Sequence, residues 1–143
     1  MNPRKWLWGL LFVLLVALCT ACTAGSPDSQ SNQTNVAAQF HQITPGEAKQ
    51  RMEENPQVIV VDVRTPEEYK EKHIPQAVLI PNETIAQTPP ALLPDLNAEI
   101  LVYCRTGVRS RQAAEKLVAL GYTQVYDLGG IQDWPYETVA GDS

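Results

Sequence analysis

Apolar and polar positions divide the chain into three stretches of different character. From Leu7 to Leu18 every residue except Gly9 is apolar. Residues 23–39 (TAGSPDSQSNQTNVAAQ) are rich in Ser, Thr, Asn and Gln and carry no periodic apolar pattern, which predicts a flexible tether. Beyond it, helix-type and strand-type patterns alternate. Thr44-Pro45-Gly46-Glu47 predicts a capping box with proline at the first helical position. The helix it opens carries Ala48 and Met52 four apart and should stop near Asn55-Pro56. The β-branched run Val58–Val63 predicts a strand buried on both faces. A second capping box, Thr65-Pro66-Glu67-Glu68, opens a short helix, and Ala77–Ile80 predicts a short strand. Residues 82–98 contain Pro89, Pro90 and Pro94 and predict a loop with at most one helical turn. Ile100–Tyr103 is the next buried strand and runs directly into Cys104. From Ser110 to Leu120 a helix places Ala113, Leu117 and Leu120 on one face, with Gly121 at the left-handed C-cap position. Val125–Leu128 predicts a last strand, followed by Gly129-Gly130 and a short segment to Trp134.

Buried strands that alternate with helices imply an α/β domain with a mainly parallel sheet. In such sheets ligands bind at the carboxyl ends of the strands, which is where Cys104 lies. The length of 143 residues suits one domain, and an apolar content of 44% supplies a core.

The amino-terminal stretch has the layout of a secretory signal: Arg4 and Lys5, the apolar run, then Thr20-Ala21 before Cys22. The run of about 12 apolar residues is short of the roughly 20 that span a bilayer. The Thr20-Ala21-Cys22 site resembles a bacterial lipobox, whose cysteine is lipidated and becomes the first residue; Cys19 stands where that pattern usually has Leu. The expected organisation is a lipoprotein signal peptide over 1–21, a lipidated terminus and tether over 22–40, and a folded domain over 41–143. The mature protein is then extracytoplasmic and anchored to a bacterial membrane by lipid on Cys22. A tether of this length reaches roughly 20–25 Å. Cys19 leaves with the signal and Cys22 becomes a thioether, so Cys104 is the remaining thiol and no intramolecular disulfide can form.

Loss of Arg4 and Lys5 lowers the formal net charge of −5 by a further two. A net acidic domain gains no electrostatic help with nucleic acid, so that class of partner is excluded. The two His residues and one mature thiol stand at unrelated positions and make no metal site. No metal or other cofactor is expected.

Candidate chemistry centres on Cys104-Arg105-Thr106-Gly107-Val108-Arg109, followed by Ser110. A loop between a buried strand and a helix N-terminus can turn several backbone N–H groups toward one centre, with Gly107 permitting a positive φ. The helix dipole and two arginines add positive potential at the same place. The expected result is an anion cradle with the Cys104 sulfur at its base, favouring a nucleophilic thiolate. Arg105 and Arg109 can in addition hold an incoming oxyanion. Asp62 and Arg64, at the end of a buried strand, read as a scaffold ion pair rather than as catalysts. His73 reads as a hydrogen-bonded structural residue, and Trp134 as packing.

From Gln42 to about Ala140 the chain resembles the rhodanese homology domain. The matching pieces are Asp62-Val63-Arg64, Glu68-Tyr69, His73-Ile74-Pro75-Gln76-Ala77, the Cys104–Ser110 loop and Gly129-Gly130-Ile131 with Trp134. The resemblance implies a five-stranded, mainly parallel sheet with helices on both faces. It also implies a ping-pong sulfurtransferase. Cys104 takes sulfane sulfur from a small sulfur-containing anion such as thiosulfate and passes it to a thiol or to cyanide. Residues Arg105–Arg109 form the substrate-binding loop, and the working unit is a monomer. Gln76 stands where the family usually has Gly, and local backbone adjustment is expected there. Two other readings stay open: a non-enzymatic persulfide-carrying or partner-binding module at the membrane, and a phosphatase or arsenate reductase of the related anion-loop class. The latter uses a seven-residue loop to accommodate a tetrahedral phosphate, against six residues from Cys104 to Arg109.

Overall fold

A computed structural model describes residues 39–142. The expected signal peptide, Cys22 and nearly all of the expected tether lie outside these residues. The chain runs β1 (His41–Gln42), α1 (Pro45–Glu54), β2 (Ile59–Asp62), α2 (Pro66–Glu71), β3 (Val78–Leu79), a 3-10 turn (Asn82–Thr84), β4 (Glu99–Cys104), α3 (Val108–Ala119), β5 (Gln124–Gly130) and a second 3-10 turn (Ile131–Asp133). The five strands form one sheet in the order β1-β5-β4-β2-β3, every neighbouring pair parallel.

Both capping boxes form as the sequence predicts. Thr44 accepts the N–H of Glu47 and Thr65 that of Glu68, while each Glu carboxylate reaches back to its cap. A cap of this kind stabilises a helix end by about 1 kcal/mol. Helix α1 stops at Asn55 and α3 is followed by Gly121 at φ 99°.

Strand alternation divides the core into two layers. Val61, Ile100, Val102 and Cys104 face α3, against Ala113, Ala114 and Leu117. Val60, Leu101 and Tyr103 face the opposite side, with Ala48 of α1, Tyr69 of α2 and Trp134. Helices therefore cover both faces, as expected, and Cys104 belongs to the α3 layer.

Three features depart from the sequence reading. The outermost strand, β1, is only two residues and carries no periodic signal. Strand β5 runs on through Gly129-Gly130, because a register shift opposite Val102 and Tyr103 lets Gly129 pair with Tyr103 and Gly130 with Cys104. At Gln76 the backbone has not adjusted away from a glycine-type conformation: it holds φ 67°, the one positive φ outside glycine among the described residues. Such a conformation costs a non-glycine residue roughly 1–2 kcal/mol.

The carboxyl-terminal residues return to the helical layer. Val139 pairs antiparallel with His73, through hydrogen bonds of 2.8 and 2.9 Å, and the Gly141 N–H donates to the Lys70 carbonyl at 2.9 Å.

Candidate active site

The end of β4 and the start of α3 are joined by Arg105-Thr106-Gly107, so the loop is short and its shape is set by what it touches. Gly107 adopts φ 101°, and its N–H donates to Cys104 Sγ at 3.0 Å. Glycine serves as the N-cap of α3 and supplies no side-chain acceptor. The first-turn N–H groups are thereby left to whatever anion the loop holds. Ser110 is buried, and its hydroxyl donates to the carbonyls of Gly107 at 3.1 Å and Gly129 at 3.3 Å. This fastens the loop to β5.

Gly130 is where the loop and the sheet come closest. A Cβ built there would lie 2.6 Å from the Arg105 carbonyl oxygen and 2.8 Å from the Thr106 Cα. Only a residue without a side chain fits. Cys104 itself is 1% exposed and is a free thiol. Around it Arg105, Thr106 and Val108 stand out in solvent, Val108 being 64% exposed. A cleft of about 630 Å³ flanks the outer side of the loop, lined by Thr106, Gly107 and Val108 with Gly129, Gly130 and Arg111. Cys104 is not on its wall.

The two loop arginines differ in their surroundings. Arg109 grips Glu68 of α2 through a two-pronged ion pair, Nη1 to Oε2 at 2.7 Å and Nη2 to Oε1 at 2.8 Å. Both side chains are largely covered, 27% and 19% exposed. The Arg109 guanidinium holds the Glu68 carboxyl down to about 2, against an ordinary value of 4.5. Arg105, in contrast, makes no side-chain hydrogen bond or ion pair with any described residue. Glu68 was legible in the sequence as the end of a capping box and as half of the family-like Glu68-Tyr69 pair; nothing local signals a partner 41 residues away.

Asp62, Arg64 and His73 form a separate assembly. Asp62 and Arg64 are buried, and the guanidinium donates from Nε and Nη2 to the carboxylate at 2.6–3.1 Å. Arg64 Nη2 also donates to the Lys72 carbonyl at 2.7 Å. The Tyr103 hydroxyl donates to Asp62 Oδ2 at 2.7 Å and accepts the Ile74 N–H at 3.1 Å. Burial, reinforced by Asp62, pushes the Tyr103 hydroxyl up, so it stays a neutral donor. His73 is buried, stacks on Tyr69 with ring centroids 3.8 Å apart, and places Nδ1 2.9 Å from the Tyr69 carbonyl. These contacts tie α2 and the segment after it to β4. Tyr103 faces the opposite core layer from Cys104, and none of the three side chains hydrogen-bonds to the sulfur.

Residues 44–136 match the rhodanese-like domain family. Thiosulfate sulfurtransferase PspE of Escherichia coli is 38% identical over 81 residues, covering 57% of this chain and 78% of the relative. Thiosulfate sulfurtransferase GlpE of Pseudomonas syringae is 35% identical over 108 residues, covering 72% and 98%. Among solved structures, a rhodanese from E. coli with anions superposes with a TM-score of 0.55 at 37% identity, covering 59% of this chain and 99% of that one. A rhodanese-like domain protein of Staphylococcus aureus reaches 0.61 at 36% identity, covering 72% and 100%.

Proposed function

Since the chain belongs to the rhodanese-like domain family and is a sulfurtransferase of the rhodanese type, we propose that it moves sulfane sulfur from thiosulfate or a similar donor to a thiophilic acceptor through a persulfide on Cys104. The observation that carries this reading is the free Cys104 thiol at the carboxyl end of a central strand, its sulfur accepting the Gly107 N–H at 3.0 Å.

In the first half-reaction the Cys104 thiolate attacks the outer sulfur of thiosulfate. A new sulfur–sulfur bond forms, the bond to the sulfonate sulfur breaks, and its electron pair leaves with sulfite. Cys104 then carries an anionic persulfide, which the loop N–H groups and the α3 dipole stabilise as they would any anion. In the second half-reaction cyanide or a thiolate attacks the terminal sulfur, and the electron pair returns to Cys104 as thiolate. The loop makes the sulfur nucleophilic without a neighbouring base, so neither Asp62 nor His73 is assigned a step.

Location belongs to the same proposal. The apolar run before Thr20-Ala21-Cys22 supports export and lipid anchoring, which would hold the sulfurtransferase near the outer face of a membrane.

The test combines intact mass with turnover. Wild type treated with thiosulfate should gain one sulfur on Cys104 and release thiocyanate from cyanide; Cys104→Ser should do neither while keeping its circular dichroism. A folded Cys104→Ser variant that still makes thiocyanate overturns the mechanism. So does wild type that hydrolyses an aryl phosphate faster than it moves sulfur.

A further inference from the structure

We propose that the two loop arginines divide the work: Arg105 receives the anionic end of the sulfur donor, while Arg109, clamped by Glu68, is a positioning residue that fixes the loop around Cys104. This rests on the reading of Cys104 as the sulfur carrier and deepens it.

Three observations carry the division. The first is prior engagement. Both terminal nitrogens of Arg109 donate to Glu68, and the fork is the geometry in which guanidinium binds carboxylate most firmly. A donor oxyanion arriving there meets a carboxylate already in place, which offsets the charge and occupies the fork, leaving the Nε–H and the outer Nη hydrogens.

The second is that Glu68 cannot readily turn away. Its Oε2 also accepts the Thr65 N–H at 3.1 Å, and its own N–H donates to Thr65 Oγ1 at 3.3 Å. The capping box that starts α2 thus orients the carboxylate that holds Arg109. Helix α2 is itself pinned from behind by the pairing of His73 with Val139 and of Gly141 with Lys70. Glu83 adds a further carboxylate within electrostatic range of Arg109.

The third is that Arg105 has what Arg109 lacks. It is exposed, lies next to Cys104 in the chain, and has no anionic partner among the described residues. A thiosulfate whose outer sulfur meets Sγ presents its sulfonate away from the sulfur, and Arg105 is the loop cation without an anionic partner to receive it. Helix energetics agree on Arg109. A cation in the first turn opposes the macrodipole, and Glu68 offsets that charge where it stands.

Steady-state kinetics separate the two roles. Arg105→Ala should raise the KM for thiosulfate about tenfold or more, the loss expected of a charge-assisted contact, with a smaller change in kcat. Arg109→Ala and Glu68→Ala should each lower kcat about tenfold and leave the thiosulfate KM within about threefold, as a misplaced loop would. The double variant should be no worse than either single one, because both remove the same clamp. Glu68→Asp should recover part of the loss. Where an alanine variant fails to fold, Glu68→Gln and Arg109→Lys give the same comparison. The inference is overturned if Arg109 substitution raises the thiosulfate KM as much as Arg105 substitution, or if Arg105→Ala leaves it unchanged. Wild type that gains no sulfur on Cys104 would instead overturn the underlying reading before either arginine is compared.

Discussion

Replacing Gly130 by alanine should silence the loop while leaving every one of its side chains in place. The added Cβ would stand 2.6 Å from the Arg105 carbonyl oxygen, 2.8 Å from the Thr106 Cα and 3.1 Å from the Arg105 carbonyl carbon, all backbone atoms, where ordinary contact begins at 3.4 Å. No flexible side chain can swing aside, so either β5 or the loop must retreat by several tenths of an ångström. Overpacking of this kind costs about 1–3 kcal/mol, which for a domain of this size lowers Tm by roughly 5–15 °C. The effect on turnover should be larger than the effect on stability suggests. Donors stabilise a developing anion at about 2.7–3.1 Å, and a misplacement approaching 1 Å costs about a hundredfold in rate. Thiosulfate:cyanide turnover, assayed well below the lowered Tm, should therefore fall about a hundredfold. Gly129→Ala is the matched control. Gly129 has φ 87° but open space where a Cβ would point. That variant should lose roughly 1–2 kcal/mol to backbone strain and keep turnover within a few-fold of wild type. A folded Gly130→Ala protein with wild-type turnover, or a Gly129→Ala protein equally inactive, would refute the argument that loop placement limits the reaction.

Three further outcomes can be checked, two at the ion pairs and one at the amino-terminal cysteine. Asp62→Ala leaves the buried Arg64 charge unpaired and should destabilise the domain by about 3–5 kcal/mol in urea titration; a loss under about 1 kcal/mol would mean that the buried assembly does not anchor β2 to β4. Folding lowers the Glu68 pKa from 4.5 to about 2, so its ion pair stabilises the native state in full above pH 4.5 and loses its effect as pH falls toward 2. The stability advantage of wild type over Glu68→Gln, read from urea midpoints across that range, should be constant above pH 4.5 and shrink below it; an advantage that does not shrink is the contrary result. Cys22→Ala should abolish metabolic labelling with palmitate and convert the lipidated protein into a soluble or unprocessed form, and an unlabelled wild type would remove the lipobox proposal.

What the sequence revealed, and what it hid, follows from the range of the forces involved. Thr44 with Glu47 and Thr65 with Glu68 were legible because a capping box is complete within four residues. The buried strands declared themselves through β-branched runs, and Cys104 through its place between such a run and a helix. Strand β1 stayed hidden because two residues cannot display a period, and its pairing partner, Tyr126-Asp127, lies at the other end of the chain. Gly129-Gly130 fell outside the last predicted strand because nothing local shows the register shift that keeps them in the ladder. The sharpest gap concerns Arg109. Its charge was plain and its neutralisation by Glu68 was not, so both loop arginines looked equally available for substrate until the fold brought α2 beside α3.

The way the chain closes on itself carries the folded unit past the stretch that resembles the family. Similarity to the family runs over 44–136, yet hydrogen bonds hold the domain together beyond both of those limits. At one end His41 and Gln42 shield β5; at the other, Val139 and Gly141 fasten His73 and Lys70. A fragment trimmed to the matched region would uncover the long strand Gln124–Gly130 along the edge that a two-residue strand now blunts, inviting edge-to-edge aggregation. It would also release the helix that carries Glu68. Such a fragment should express poorly and turn over slowly with every loop residue intact, so truncation should spare Phe40 at one end and Gly141 at the other.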